Sequence, residues 1–289
     1  MPELPTTTFG DNAFKFGLFC TNCNGGMTFS SAPERWECEW DDIVEVSKLA
    51  DEAGVEFVLP VAKWRGFGGP SRLWDKSYEG IAHSAAIAAV TKRIGIFSTV
   101  HTPLMSPAYT AKAITTIDHI SHGRAGLNIV CGWNQDEFDI HGVKVDGERR
   151  YDHGLEWYRI YARLLEGGAP FDWDGEFFKL KHAFTDPLPY QRPRPPVMSA
   201  GVSARGRDFA AQAADILFTN SAELSLGAQV VEAGLGRLRQ RRLAEAVDHR
   251  DLQRLLDVVV DPELRRHRVA RILLVALAER CRDAGASQM

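Results

Sequence analysis

Long hydrophobic runs are missing from this 289-residue chain. No stretch approaches the roughly 20 apolar residues that a membrane helix needs, so a bilayer span is not expected. The N-terminal segment MPELPTTTFGDNAF has neither a basic start nor an apolar centre. That argues against a signal peptide and for a cytoplasmic protein. A strong charge of either sign is also missing. The net charge is -4 and the pI is near 6.2, which gives no electrostatic case for nucleic acid or an anionic membrane. Cysteine is scarce and odd in number, with 5, so a disulfide framework is not expected. Cys20 and Cys23 form a CxxC with Cys38 not far off. A zinc site would need a second pair or closely spaced histidines. Neither follows, and no metal is expected. Beyond about Val231 the chain has many arginines but no lysine and no Phe, Trp or Tyr. The reading is therefore a barrel-type region over 1–232 and an atypical Arg-rich tail over 233–289. In that tail Val269 to Arg280 reads as a helix and Leu256 to Val260 as the one strand candidate. A truncation or frame shift would account for such a composition; the alternative is a shorter variant that caps its barrel with helices.

What is present is an alternation of short apolar runs and helical periodicity. Lys15–Cys20, Val55–Ala62, Ile94–Val100, the segment opening at Gly123, Pro196–Ala200 and Ile216–Thr219 read as strands. Helices are expected from Asp41, from about Tyr78 to Val90, from Pro107 to Ile120, from Arg149 to Leu165 and from Ser203. Pro107 stands where a first helical turn tolerates it. Phe171 to Leu180 reads as an inserted hairpin. Six strand-then-helix units make a parallel α/β protein. Both a closed (β/α)8 barrel and an open doubly wound sheet fit that pattern. The absence of GxGxxG after the first strand weakens the dinucleotide-fold version.

The segment GRAGLNIVCGWNQDEFDIHG, Gly123 to Gly142, carries the most chemistry. It is an apolar strand that breaks into polar, aromatic and acidic residues, as at the catalytic end of a barrel strand. Arg124 and the Gly123 turn look structural. Asn128 is an amide in an apolar strand, which costs energy unless paired; a ligand or a neighbouring strand would satisfy it. Thr99 ends the third strand, where a β-branched residue is also at home. His101 invites a metal or general-base reading; a metal site would want a second histidine two residues away or acidic partners on other strand ends, and Thr102-Pro103 follows instead. Lys63 to Gly69 combines two cations with glycines that suit close approach to an anion or a planar ring. Arg149-Arg150-Tyr151 opens a helix, where cations oppose the positive end unless a phosphate sits between. Ser199 to Ser203 is a second strand-to-helix turn of the phosphate-cradling kind.

With these residues in view, the chain resembles the bacterial luciferase-like, flavin-dependent monooxygenases. The matching positions run from Phe14 to Val231. They include Lys63, Arg65-Gly66-Phe67-Gly68-Gly69, Trp74-Asp75, Thr116-Ile117-Asp118, Gly123-Arg124, Asn128, Gly132-Trp133, Glu137 and Arg149-Arg150-Tyr151-Asp152. They are nearest to the pyrimidine monooxygenase branch. FGLFCTNCNGGMTFSSAPERW is more like the dehalogenating and desulfurising relatives; alkanesulfonate monooxygenases belong to the same group. The resemblance implies a (β/α)8 TIM barrel that binds reduced FMN, with O2 as co-substrate. A separate NAD(P)H-dependent flavin reductase would supply the FMNH2. It places Ala62, Lys63, Asn128, Glu137, Arg150, Tyr151 and Ser203 at FMN-contacting positions, and Thr99 with Asn128 at the catalytic pair that holds O2. It implies a homo-oligomer acting on a small heteroaromatic, halogenated aromatic or organosulfur substrate. Two departures bear on the substrate. Cys131 stands where the pyrimidine enzyme has Thr, and His101-Thr102-Pro103-Leu104 differs from its counterpart. A flavin-binding protein without turnover and a deazaflavin-dependent oxidoreductase are the alternatives on the same fold.

Overall fold

A computed structural model describes residues 15–219 and the short strand at 271–274. It divides into two units, the larger holding Gly17–Val197 and the second holding Lys15, Phe16 and the described residues from Met198 onward. The expected boundary at 232/233 and the strand expected at Leu256–Val260 lie outside the described residues.

In the larger unit, β1 (Gly17–Phe19), β2 (Phe57–Leu59), β3 (Gly95–His101) and β4 (Ala125–Val130) pair in that order, each parallel to the next. Parallel pairing needs a long crossover. α1 (Trp40–Ala53), α2 (Gly80–Val90) and α3 (Pro107–Ser121) supply the three. β2 and β3 are buried along their whole length. The apolar runs therefore belong to a sheet covered on both faces, which is why they do not alternate. Phe97 packs edge-on against Phe57 and lies across from Gly126 in β4. A Cβ at Gly126 would sit 2.5 Å from the Phe97 ring, so glycine makes room for that side chain. α3 starts at Pro107 and ends in a left-handed turn, with Gly123 at φ +88, as its sequence required.

Two elements follow β4: the short helix α4 (Gln135–Asp139) and the long helix α5 (Arg150–Glu166). The expected hairpin is β5 (Phe171–Asp174) with β6 (Lys179–Ala183), antiparallel. β7 (Val197–Ser199), whose last two residues belong to the second unit, leads through α6 (Ala204–Ala213) to β8 (Ile216–Thr219), and β8 pairs in parallel with β9 (Arg271–Leu274). The helix expected over Val269 to Arg280 is corrected at Arg271–Leu274, which is strand. A short apolar run does not distinguish helix from strand by period alone.

Arg124 is structural. It is 4% exposed and donates to the carbonyls of Ala88, Thr91, Ile94 and Ser121. It thereby ties the end of α2 to the start of β4. Asp51 does similar work at the end of α1, accepting from the backbone N–H groups of Lys92, Arg93 and Ile94 at 2.7–2.9 Å. Burial pushes the Asp51 carboxyl up, but those donors and the Arg124 charge overcome it and hold it below its ordinary value. A depressed carboxyl contributes stability that is present above the unfolded pKa of about 3.9 and lost as pH falls through the folded value. Asp51→Asn should therefore cost about 2 kcal/mol at pH 7 by urea unfolding, and less at pH 3. An equal cost at both pH values would contradict this account.

Candidate active site

The C-terminal ends of β2, β3 and β4 and the loops after them bring most of the sequence-derived candidates together. Lys63 follows β2 and Glu137 sits on α4, 74 residues later. Their ammonium and carboxylate form an ion pair, with side chains only 2% and 3% exposed. Asn134 caps α4 and also donates to Glu137 at 3.4 Å. The Lys63 ammonium lies over three rings: Phe67 at 4.4 Å, Trp133 at 5.3 Å and Trp74 at 5.6 Å. Of the two partners the sequence suggests for this loop, an anion or a planar ring, Lys63 has both within the protein: Glu137 meets its charge and the three rings face it. Trp133 is 63% exposed and Phe67 49%, so these rings also present open faces.

Thr99 and Asn128 face each other across the β3–β4 register. Thr99 Oγ1 donates to the Pro60 carbonyl at 2.6 Å and accepts from Asn128 Nδ2 at 3.1 Å. With the hydroxyl proton committed to Pro60, the threonine offers only lone pairs to the amide. Asn128 Nδ2 is therefore the near end, and Oδ1 is turned away from Thr99. That oxygen is buried without a hydrogen-bond partner among the described residues.

A small cavity of about 10 Å³, room for one water-sized guest, is lined by Ala62, Lys63, Thr99, His101 and Met105, among others. His101 lies two residues beyond Thr99 on β3, hence on the same face. It is 4% exposed, stands edge-on to Phe138, and its Nδ1 has no partner among the described residues. Burial, with the charges of Lys63 and His141, pushes its pKa down to about 4. It is neutral at pH 7. The sequence offers a metal or a general-base reading of His101; its place beside Thr99 appears once β3 is built.

Arg150 and Tyr151 open α5, with the guanidinium 4.9 Å from the tyrosine ring centroid. Arg150 Nε is buried and without a partner among the described residues. Arg149 does not join them: it pairs with Glu176 and stacks on Phe177 of the hairpin. Ser203, in the second unit, caps α6 by accepting from Gly206 N at 3.0 Å. A Cβ at Gly201 would meet the Gly206 backbone at 2.4 Å, so this turn closes tightly on its helix. Cys20, Cys23, Cys38 and Cys131 are free, buried thiols. Burial pushes Cys23 and Cys131 up to about 12, which keeps both protonated. Among the described residues no three His, Cys, Asp or Glu are arranged to hold a metal, and no helix is long and apolar enough to cross a membrane.

These unpartnered groups fit a flavin nucleotide. Asn128 Oδ1 is an acceptor suited to a ring N–H, and Arg150 is a cation suited to a phosphate.

The sequence profile of luciferase-like monooxygenases matches residues 14–249. A pyrimidine monooxygenase RutA of Methylorubrum extorquens is 35% identical over 211 residues, covering 72% of this chain and 56% of that protein. A Rhizobium rhizogenes protein of the same name is 36% identical over 207 residues, covering 71% and 56%. The chain thus spans little more than half the length of these relatives. Among solved structures, an EDTA monooxygenase from a Chelativorans species superposes with a TM-score of 0.69 at 19% identity, covering 78% of this chain and 60% of that one. That likeness establishes the fold as α/β, of the luciferase-like TIM-barrel type. The profile match and the level of identity to the curated relatives carry the assignment further: the chain belongs to the luciferase-like monooxygenase family.

Proposed function

We propose that the chain is the oxygenating component of a two-component, FMNH2-dependent monooxygenase that places one atom of O2 on a small organic substrate. The observation that carries this reading is the Pro60–Thr99–Asn128 chain, which ends in a buried amide oxygen awaiting a donor. Reduced FMN, when bound, would supply the electrons that activate O2. The residues of the chain do the rest. Asn128 would accept a ring N–H through Oδ1, its amide held in place by Thr99. Lys63 and Glu137 form a charge-neutral wall, and Phe67 and Trp133 offer flat apolar faces to a ring. Such a wall favours a neutral heteroaromatic or halogenated ring over a sulfonate, which would need an unpaired cation. Arg150 and Tyr151, at the start of α5, would hold the phosphate. A reductase working in the same cytoplasm would supply FMNH2.

The test uses purified chain, FMN, an NADH-dependent flavin reductase, and uracil, a chlorophenol and dibenzothiophene sulfone as probes. Mass spectrometry in 18O2 should show one labelled oxygen atom in a product that requires the chain. FMN binding with no labelled product from any probe would favour a flavin binder without turnover. Binding of a deazaflavin instead of FMN would favour the oxidoreductase alternative.

A further inference from the structure

The β5–β6 hairpin is joined to α5 by more bonds than an inserted loop requires. Glu156, in the second turn of α5, accepts four hydrogen bonds from it: from the backbone N–H groups of Glu176, Phe177 and Phe178, and from Trp173 Nε1, all at 3.0–3.1 Å. The hairpin turn is shaped to receive this carboxylate. A Cβ at Gly175 would sit 1.8 Å from Glu156 Oε1, so a side chain there would push the carboxylate out of its place. Burial pushes the Glu156 carboxyl up, but its donors outweigh that and hold it below the ordinary range.

The other contacts follow the same stripe of the helix. His153, three residues earlier, packs against the rings of Phe177 and Phe178 at 5.3 and 4.9 Å. Arg149, four residues before that, pairs with Glu176 and lies 4.8 Å from the Phe177 ring. Positions 149, 153 and 156 are spaced by four and three, which is one face of a helix. The hairpin tip therefore grips α5 at three points, from its N-cap to its second turn. Arg150 and Tyr151 fall within the gripped turn but off the gripped face. Arg150 keeps a buried guanidinium nitrogen without a partner among the described residues.

We propose that this hairpin is a clamp that sets the rotation of the first turn of α5, and that Glu156 is a positioning residue for phosphate binding by Arg150 and Tyr151. The proposal rests on the flavin reading above. Arg149 explains why the clamp is needed. Two adjacent arginines at a positive helix end repel each other and the helix end. The Glu176 carboxylate and the Phe177 face draw Arg149 away, leaving Arg150 for the ligand.

The test compares FMN with riboflavin, which has the same ring but no phosphate. Dissociation constants are measured by fluorescence for the full chain and for Glu156→Gln, Gly175→Ala and Arg150→Ala. Thermal unfolding of each variant is followed by circular dichroism. Glu156→Gln and Gly175→Ala, which disturb the clamp from opposite sides, should each weaken FMN binding about tenfold, the loss of about one charge-assisted hydrogen bond. Riboflavin binding should be unchanged. Equal loss for both flavins means that the hairpin only holds the fold, and the proposal is overturned. FMN binding unchanged in both clamp variants but lost in Arg150→Ala overturns the clamp and leaves the phosphate reading intact. An Arg150→Ala variant that still prefers FMN over riboflavin removes the phosphate reading itself, and the clamp with it.

Discussion

Glu137→Ala is expected to destabilise the protein by about 3–5 kcal/mol, the usual cost of leaving one member of a buried ion pair uncompensated. The reason lies in what surrounds Lys63. Its side chain is 2% exposed, and apart from Glu137 the ammonium meets the faces of Phe67, Trp74 and Trp133. A ring face attracts a cation by about 0.5–2 kcal/mol. That is too little to replace a carboxylate for a side chain so deeply buried. Asn134 loses an acceptor in the same substitution. The double variant Lys63→Met with Glu137→Leu behaves differently, because it removes both charges and keeps most of the volume. It should fold within about 1–2 kcal/mol of the parent chain. Urea unfolding of the three proteins decides the matter. A cost below about 1 kcal/mol for Glu137→Ala would mean that water reaches the pair and that it behaves as a surface salt bridge. The double variant also separates stability from function. A folded chain without the Lys63–Glu137 wall should bind FMN yet lose its discrimination among substrates.

The parts of this site that the sequence made legible are those encoded locally. Asn128 stood out because an amide in an apolar strand is expensive, and it lies 5% exposed opposite Thr99. Gly123 stood out as a turn and has the positive φ expected of it. The order of strands β1 to β4 followed from the alternation of apolar runs and helical period, and the residue-by-residue resemblance named the family. What was not legible depends on contacts distant in sequence. Nothing near Lys63 indicates that its partner is Glu137. α4, which carries Glu137, is 5 residues long, too short for a period to show. Arg149 and Arg150 read as one phosphate-binding pair, yet a hairpin 27 residues along the chain captures Arg149. His101 reads as a metal ligand or a general base because no pattern in one strand reveals which cavity its side chain will line. The β9 strand was missed for a different reason: four apolar-rich residues carry no decisive period.

Asn128→Ala is expected to lower oxygenation by about 100- to 1,000-fold while changing FMN affinity much less, the effect of removing one preorganised polar group from a reacting centre. The structure adds a condition on Thr99. Its hydroxyl proton points to Pro60 and its lone pair holds Asn128 Nδ2, so in the proposed site Thr99 would act through the amide of Asn128 and not as a donor to the reacting oxygen. Thr99→Val keeps the shape and removes the acceptor that holds Nδ2. The amide then loses its fixed orientation, and some molecules present nitrogen where oxygen is needed. A loss of about tenfold follows, smaller than that of Asn128→Ala. Thr99→Ser, which keeps the hydroxyl, should restore most of it. Because Thr99 acts through Asn128, the two effects are not additive. Thr99→Val with Asn128→Ala should be no worse than Asn128→Ala alone. The measurement is labelled product formed per reduced flavin consumed, with unproductive turnover read as hydrogen peroxide. Losses that multiply in the double variant would mean that Thr99 contacts the reacting oxygen independently. Unchanged product yield in Asn128→Ala would remove this pair from the chemistry altogether.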